Sequence, residues 1–115
     1  MAVDKRSLID ALRCLSDKRY QRQAWLASSG PVVSSFVEDT CQLFDDTGLS
    51  DALARREIVF GEEVDAKLRE FAGIVANIEG NVDPSQLIEG QDTARIRVFG
   101  TSILTMIAGK MGGRS

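Results

Sequence analysis

The chain has 115 residues, which is enough for one domain whose single core needs neither disulfides nor a structural metal. With 43% hydrophobic and 27% charged residues, its composition is that of a globular protein. The net charge is −3 and the sequence has no histidine, so the commonest general base and the commonest metal ligand are both missing. These features argue against nucleic-acid binding driven by counterion release and against histidine-dependent catalysis.

The N-terminal part of the chain predicts two helical segments. Asp4 can cap a helix over residues 5–15, where apolar residues recur at helical spacing. Ser16 can cap a second segment that continues through residues 19–26. The cluster at residues 28–31 then stops it, because glycine and proline interrupt helices.

The middle of the chain predicts one long helix, a short one and a connector. Residues 32–47 carry an apolar stripe that ends at Gly48, a glycine in the position typical of a helix C-terminus. Ser50 resembles the cap of a short helical segment over 51–56. Residues 57–60 are β-branched and aromatic but have no pairing candidate, which favours a buried connector over a strand.

The C-terminal part predicts two further helices around a short one. An apolar stripe at steps of three and four indicates a helix over 61–79, ended by Gly80. The sequence of residues 83–86 has the order of a capping box with proline at the first helical position. The last helix is expected over 93–108, and glycines predict a frayed, flexible tail at 110–115.

These segments predict the fold class: an all-α, single-domain helical bundle of four to six helices over residues 1–115. Its core is expected to consist of the helices at 32–47, 61–79 and 93–108. The last helix has a thinner polar face than the others, which indicates either a central position in the bundle or contact with a second subunit, as in a homodimer.

The sequence indicates a cytoplasmic protein without a membrane segment. The first residues lack the apolar core of a signal peptide, and no apolar run approaches the ~18 residues that span a bilayer. Cys14 and Cys41 are not spaced as a redox motif, so we expect both to be free thiols buried in the core.

Charge is distributed unevenly along the chain. Residues 1–22 have six basic and three acidic side chains, a local charge of +3, whereas residues 38–65 have two basic and nine acidic ones, a local charge of −7. An acidic field of this kind favours a basic partner and speeds encounter with it. We therefore predict a partner-binding surface formed by Glu38, Asp39, Asp45, Asp46 and Asp51.

Other site chemistries are weakly represented. The acidic run at 45–51 lacks the residue order of a calcium loop, so we expect no metal, and no cofactor motif is present. The thiol of Cys41 would need a base other than histidine to act as a nucleophile, which argues against an enzyme of that kind. A basic and aromatic patch could grip phosphate, although the acidic total argues against nucleic acid; it consists of Arg19, Tyr20, Arg22 and Trp25.

Three short motifs carry a resemblance to known proteins: Y-Q-R-Q-x-W-L at 20–26, S-S-F-x-E at 34–38 and L-F-D-D-T-G-L at 43–49. Within about residues 15–80 the chain resembles small, helical, stand-alone bacterial proteins of unassigned function. Some of these resemble immunity partners of secreted polymorphic toxins. The resemblance implies an all-helical fold and a protein partner, and it brings no catalytic residue.

Composition, charge and resemblance together predict a non-enzymatic protein-interaction module, an immunity-like inhibitor that binds a basic partner through an acidic face. The alternative is a small-molecule or metal-binding regulatory module that uses Asp45, Asp46 and Asp51. An enzyme with paired carboxylates ranks last, because such a pair needs a pocket that separates the two pKa values.

Overall fold

The computed structural model describes residues 3–27, 34–80 and 82–112, with side chains as far as residue 110. Within these residues there are seven α-helices, one π-helical turn and no strand. The elements are α1 (Lys5–Ser16), α2 (Lys18–Trp25), α3 (Phe36–Cys41), the π-helical turn (Gln42–Asp46), α4 (Leu49–Ala54), α5 (Glu62–Ala76), α6 (Pro84–Glu89) and α7 (Gln91–Gly112).

The predicted all-α class is confirmed, whereas the predicted number of helices, four to six, was too low. The short segments α4 and α6 are helices in their own right. The predicted connector at 57–60 is neither helix nor strand, and it buries the side chain of Val59.

Two aspartates start the first two helices. Asp4 caps α1 as predicted, accepting a hydrogen bond from a first-turn amide. Asp17, not Ser16, caps α2 by accepting from two first-turn amides. The prediction was wrong by one residue because Ser16 is the last residue of α1, and its hydroxyl donates to the carbonyl of Leu12 at 2.7 Å.

The core lies where α7 packs against α1 and α5. The ring of Phe71 is fully buried there and stacks against Phe99, with ring centroids 6.4 Å apart. At Gly100 the backbone of α7 approaches α1 so closely that an added β-carbon would overlap the Ser16 hydroxyl. The fully buried aliphatic side chains around this contact are Leu8, Leu12, Leu15, Leu68, Ile96 and Ile103.

Several predicted helix ends differ from the structure. The helix predicted over 61–79 ends at Ala76, and Asp83 is the cap residue of α6 but makes no side-chain capping hydrogen bond. Helix α7 begins at Gln91 and continues through Gly112, so the first part of the predicted frayed tail is helical. The predicted helix stop at 28–31 and the last residues of the tail lie outside the described residues.

Helix α7 is the longest of the described helices, with 22 residues. Neither it nor any other helix in the described ranges combines the length and apolar character needed to cross a membrane.

The thiols also differ from expectation, since Cys14 is half-buried and Cys41 is exposed. The assignment of Cys41 to the core was wrong, because this last residue of α3 is exposed.

Phe71→Ala is expected to lower the free energy of unfolding by about 3–5 kcal/mol, because the substitution leaves a cavity between α5 and α7. Urea unfolding followed by circular dichroism measures this loss. The control is Ile58→Ala, at a side chain that is 78% exposed, where a change within about 0.5 kcal/mol is expected. Equal losses in the two variants would contradict the placement of the core.

Candidate interaction surface

Four of the five predicted site residues are exposed and follow one another on three consecutive elements. Glu38 lies in the first turn of α3, which Ser35 caps by accepting a hydrogen bond from the Glu38 amide at 3.0 Å. Asp45 and Asp46 end the π-helical turn, and Asp51 lies in the first turn of α4. We call the exposed carboxylates the acidic surface: Glu38, Asp45, Asp46 and Asp51.

The segment that presents Asp45 is fixed by local hydrogen bonds. The Thr47 hydroxyl donates to the carbonyl of Leu43 and accepts from the amide of Leu49 at 3.2 Å. Gly48 takes a left-handed conformation, with φ of 84°, and its amide donates to the Asp45 carbonyl at 3.2 Å. The π-helical turn is therefore joined tightly to α4, and π-helical turns occur frequently at functional sites.

Asp39 does not belong to this surface, and its assignment as a partner-binding residue is corrected here. The side chain is only 3% exposed. Its carboxylate accepts hydrogen bonds from the Trp25 indole at 2.8 Å, the Ser34 hydroxyl at 2.7 Å and the Tyr20 hydroxyl at 3.2 Å. The carboxylate is therefore engaged within the protein, where it joins α2 to α3.

Asp65, the last acid of the predicted acidic stretch, is also buried. Its carboxylate accepts hydrogen bonds from the amides of Val59 at 2.8 Å and Phe60 at 2.9 Å. These bonds hold the connector before α5 in place. The −7 balance counted along the sequence therefore overstates the charge that a partner meets.

The carboxylates of the acidic surface have no internal counter-charge. Among the described residues, none of the four accepts a hydrogen bond or forms an ion pair. The sequence explains this, because it has no lysine or arginine between Arg22 and Arg55, and Arg55 pairs with Glu57 at 3.9 Å. In the part of the chain that the structure describes, the four charges therefore have no ion-pair partner.

The predicted basic and aromatic patch is not present as a free surface. Arg22 and Lys18 both pair with Glu89, at 2.9 and 3.0 Å, and these hydrogen bonds, the one from Arg22 first, lower the pKa of Glu89 to about 2. Trp25 is buried and Tyr20 is half-buried. Of the patch residues, Arg22 thus joins α2 to α6, and Arg19 remains exposed.

A cleft of about 310 Å³ lies beside the acidic surface, between the π-helical turn and α5. The sequence did not predict this cleft, because its walls come from segments that are distant along the chain. The one available signal was the pair of small residues Ala72 and Ala76, one helical turn apart. The cleft is lined by Thr40, Cys41, Phe44, Asp45, Ser50, Ala72, Val75 and Ala76.

The described residues do not include a group of three or more cysteine, aspartate or glutamate side chains positioned to hold a metal ion. Burial raises the pKa of the Cys14 thiol, which keeps it protonated and a poor nucleophile.

Comparison of the chain with protein-family models, with curated proteins and with solved structures found no match. The comparisons thus assign neither a family nor an activity. The function of the chain is therefore inferred from its own residues. The resemblance to small helical bacterial proteins, some of which resemble immunity partners, stays an expectation.

Asp39→Ala is expected to lower the free energy of unfolding by about 2–4 kcal/mol, because it leaves the Trp25 indole and the Ser34 hydroxyl without their acceptor. The control is the preceding residue: Glu38→Ala should change stability by less than about 0.5 kcal/mol. Urea denaturation of both variants tests this difference. Similar stabilities would show that the Asp39 carboxylate does not hold α2 to α3.

Proposed function

We propose that the chain is a cytoplasmic, non-enzymatic protein-interaction module, an immunity-like inhibitor that covers a basic surface of its partner. The observation that carries the proposal is the acidic surface, whose four exposed carboxylates have no counter-charge within the described residues. Lysine and arginine side chains of a partner would supply that counter-charge.

The carboxylates of this chain differ in whether the protein supplies contacts for them. Asp4 and Asp17 cap helices, and Asp39 and Asp65 bind buried donors. Within the described residues the acidic surface has none of these contacts, and the same is true of the exposed Glu62, Glu63, Asp83 and Asp92. What supports the proposal is that the four carboxylates of the acidic surface lie together on three consecutive elements.

The electrostatics suit association with a basic protein. Exposed charges lose little hydration when they pair at the rim of an interface, and their summed field attracts a partner of opposite sign. Asp45 and Asp46 also sit at the end of a helical run, where negative charge opposes the helix dipole and gives no local stabilisation. The resemblance to immunity partners agrees with a role in covering and blocking a basic site.

The second candidate is a regulatory module that binds a small molecule, and the cleft beside the acidic surface favours it. Its volume of about 310 Å³ is at the lower end of the ~300–1,000 Å³ typical of small-molecule sites. The metal-binding form of this candidate lacks a cluster of ligands among the described residues.

Charge reversal at the acidic surface, Asp45→Lys with Asp46→Lys, is expected to reduce recovery of the natural partner about tenfold in a pull-down from the native host at low salt. The loss should shrink as salt rises, because exposed charges are screened beyond ~8–10 Å at 0.1–0.15 M ionic strength. Circular dichroism should show an unchanged helical fold, since both side chains are exposed.

The matched control is Asp10→Lys with Glu70→Lys, which changes the net charge equally at exposed acids outside the acidic surface. This variant should recover the partner as the natural chain does. If the two double variants behave alike, net charge rather than the acidic surface determines binding, and the proposed function fails.

We also propose that α7 forms a homodimer interface. Its residues 98–109 include no charged side chain, although Val98 is 72% exposed. Light scattering during size-exclusion chromatography should show a mass that rises with protein concentration, and Val98→Lys should abolish the rise. A constant monomer mass for the natural chain up to ~1 mM, a concentration that corresponds to about −4 kcal/mol of binding, would exclude this interface.

A further inference from the structure

We propose that the cleft between the π-helical turn and α5 receives one apolar side chain from a partner segment whose neighbouring basic residues pair with the acidic surface. The inference rests on the proposed function and specifies the kind of partner segment that fits. It assigns the cleft to a basic and apolar peptide segment of the partner.

The apolar character of the occupant follows from the walls of the cleft. Helix α5 contributes only Ala72, Val75 and Ala76, and the ring of Phe44 forms part of the opposite side. Phe44 is half-buried, and its ring lies 6.3 Å from the buried ring of Phe71, so the core supports it from behind. An apolar side chain that enters the cleft would remove both its own surface and these walls from water.

The basic character of the segment follows from the charges around the cleft. Asp45 lines it directly, Asp46 follows in the same turn, and Asp51 is adjacent to the lining residue Ser50. No lysine or arginine lines the cleft. An acidic segment would meet like charge on entering, whereas lysines beside the apolar residue would meet carboxylates that have no other counter-charge.

The cleft is also shaped before binding. The hydrogen bonds of Thr47 and the left-handed Gly48 fix the end of the π-helical turn, and the Asp4 amide donates to the Thr47 carbonyl at 3.0 Å, joining the turn to the start of α1. A preformed site loses little conformational entropy on binding. A short helical segment presenting one anchor can therefore bind without rearranging the fold.

Three fluorescein-labelled synthetic peptides test the inference. The first has a central leucine with lysines three and four residues to either side, which places all of them on one helix face. In the second peptide serine replaces the leucine, and in the third glutamate replaces the lysines. Fluorescence anisotropy at two salt concentrations measures their affinities for the full chain.

A second readout uses Cys41, whose exposed thiol lines the cleft. The leucine and lysine peptide should slow alkylation of Cys41 by iodoacetamide, measured by mass spectrometry of the digested protein. Cys14 does not line the cleft and serves as the internal control, so its alkylation rate should not change.

A substitution that fills the cleft with a large side chain tests the contribution of the cleft to peptide binding separately from the contribution of charge. Ala76→Trp should weaken binding of the leucine and lysine peptide about 10- to 100-fold, the range expected for loss of one buried apolar side chain, and the loss should persist at high salt. Ala66→Trp is the matched control, because Ala66 is exposed on the same helix and does not line the cleft. It should leave the affinity within about twofold.

The outcomes distinguish the cleft from the acidic surface. One outcome would overturn the cleft inference and leave the acidic surface in place. In that outcome the leucine and serine peptides bind equally, Cys41 stays unprotected, and Asp45→Lys with Asp46→Lys weakens the binding of both peptides. If the glutamate peptide binds as well as the first peptide, the cleft accepts apolar groups without regard to charge, which also overturns it. If neither lysine peptide binds at ~1 mM although charge reversal at Asp45 and Asp46 reduces recovery of the natural partner, the cleft inference is overturned and the proposed function stands.

Discussion

The buried carboxylate of Asp39 is the interaction that joins α2 to α3. It accepts hydrogen bonds from the indole of Trp25 and the hydroxyl of Tyr20 in α2 and from Ser34 just before α3. The Ser34 amide adds a bond to the Ala24 carbonyl at 3.0 Å. A charge taken out of water is tolerated only when such donors surround it, so each of these contacts depends on the others. Because α3 leads directly into the π-helical turn, this junction also sets the position of the acidic surface and the cleft.

The segment from α3 to α4 contributes both to the apolar core and to the acidic surface. The segment from α3 to α4 has to bury Phe36, Leu43 and Leu49 and also expose four carboxylates that repel one another. The wider π-helical turn and the left-handed Gly48 change the direction of the chain between these demands. Burial on one face supplies the stability that permits uncompensated charge on the other.

Much of the fold could be predicted from the sequence, because the helices with clear apolar periodicity, α1, α5 and α7, follow from spacing alone. The role of Asp39 was predicted wrongly because it was grouped with its neighbour Glu38 by charge. The helical spacing of Phe36, Asp39 and Leu43, at steps of three and four, already places Asp39 on the buried stripe. Tyr20 and Trp25 were also available as polar side chains in need of an acceptor.

Other features could not be predicted because they arise from contacts between distant segments. The π-helical turn leaves no mark in the apolar pattern, since residues 43 and 44 fit an ordinary helix equally well. The cleft is formed by side chains of α3, the π-helical turn, α4 and α5, which only the fold brings together. The four carboxylates of the acidic surface could be predicted because acidic residues are dense in that part of the sequence. The burial of Asp39 and Asp65 could not be predicted in the same way, because it depends on hydrogen-bond donors that the fold brings to them.

The hydrogen bond between Trp25 and Asp39 also makes the intrinsic fluorescence of Trp25 a probe of the contact between α2 and α3. Trp25 is the single tryptophan of the chain, and its indole N–H donates to a carboxylate in an otherwise apolar setting beside Phe36, with ring centroids 5.8 Å apart. We therefore expect its emission to report the state of the junction between α2 and α3. A partner that docks rigidly leaves this emission unchanged, whereas one that pulls α3 away from α2 alters it, so steady-state fluorescence separates the two modes of association without any label.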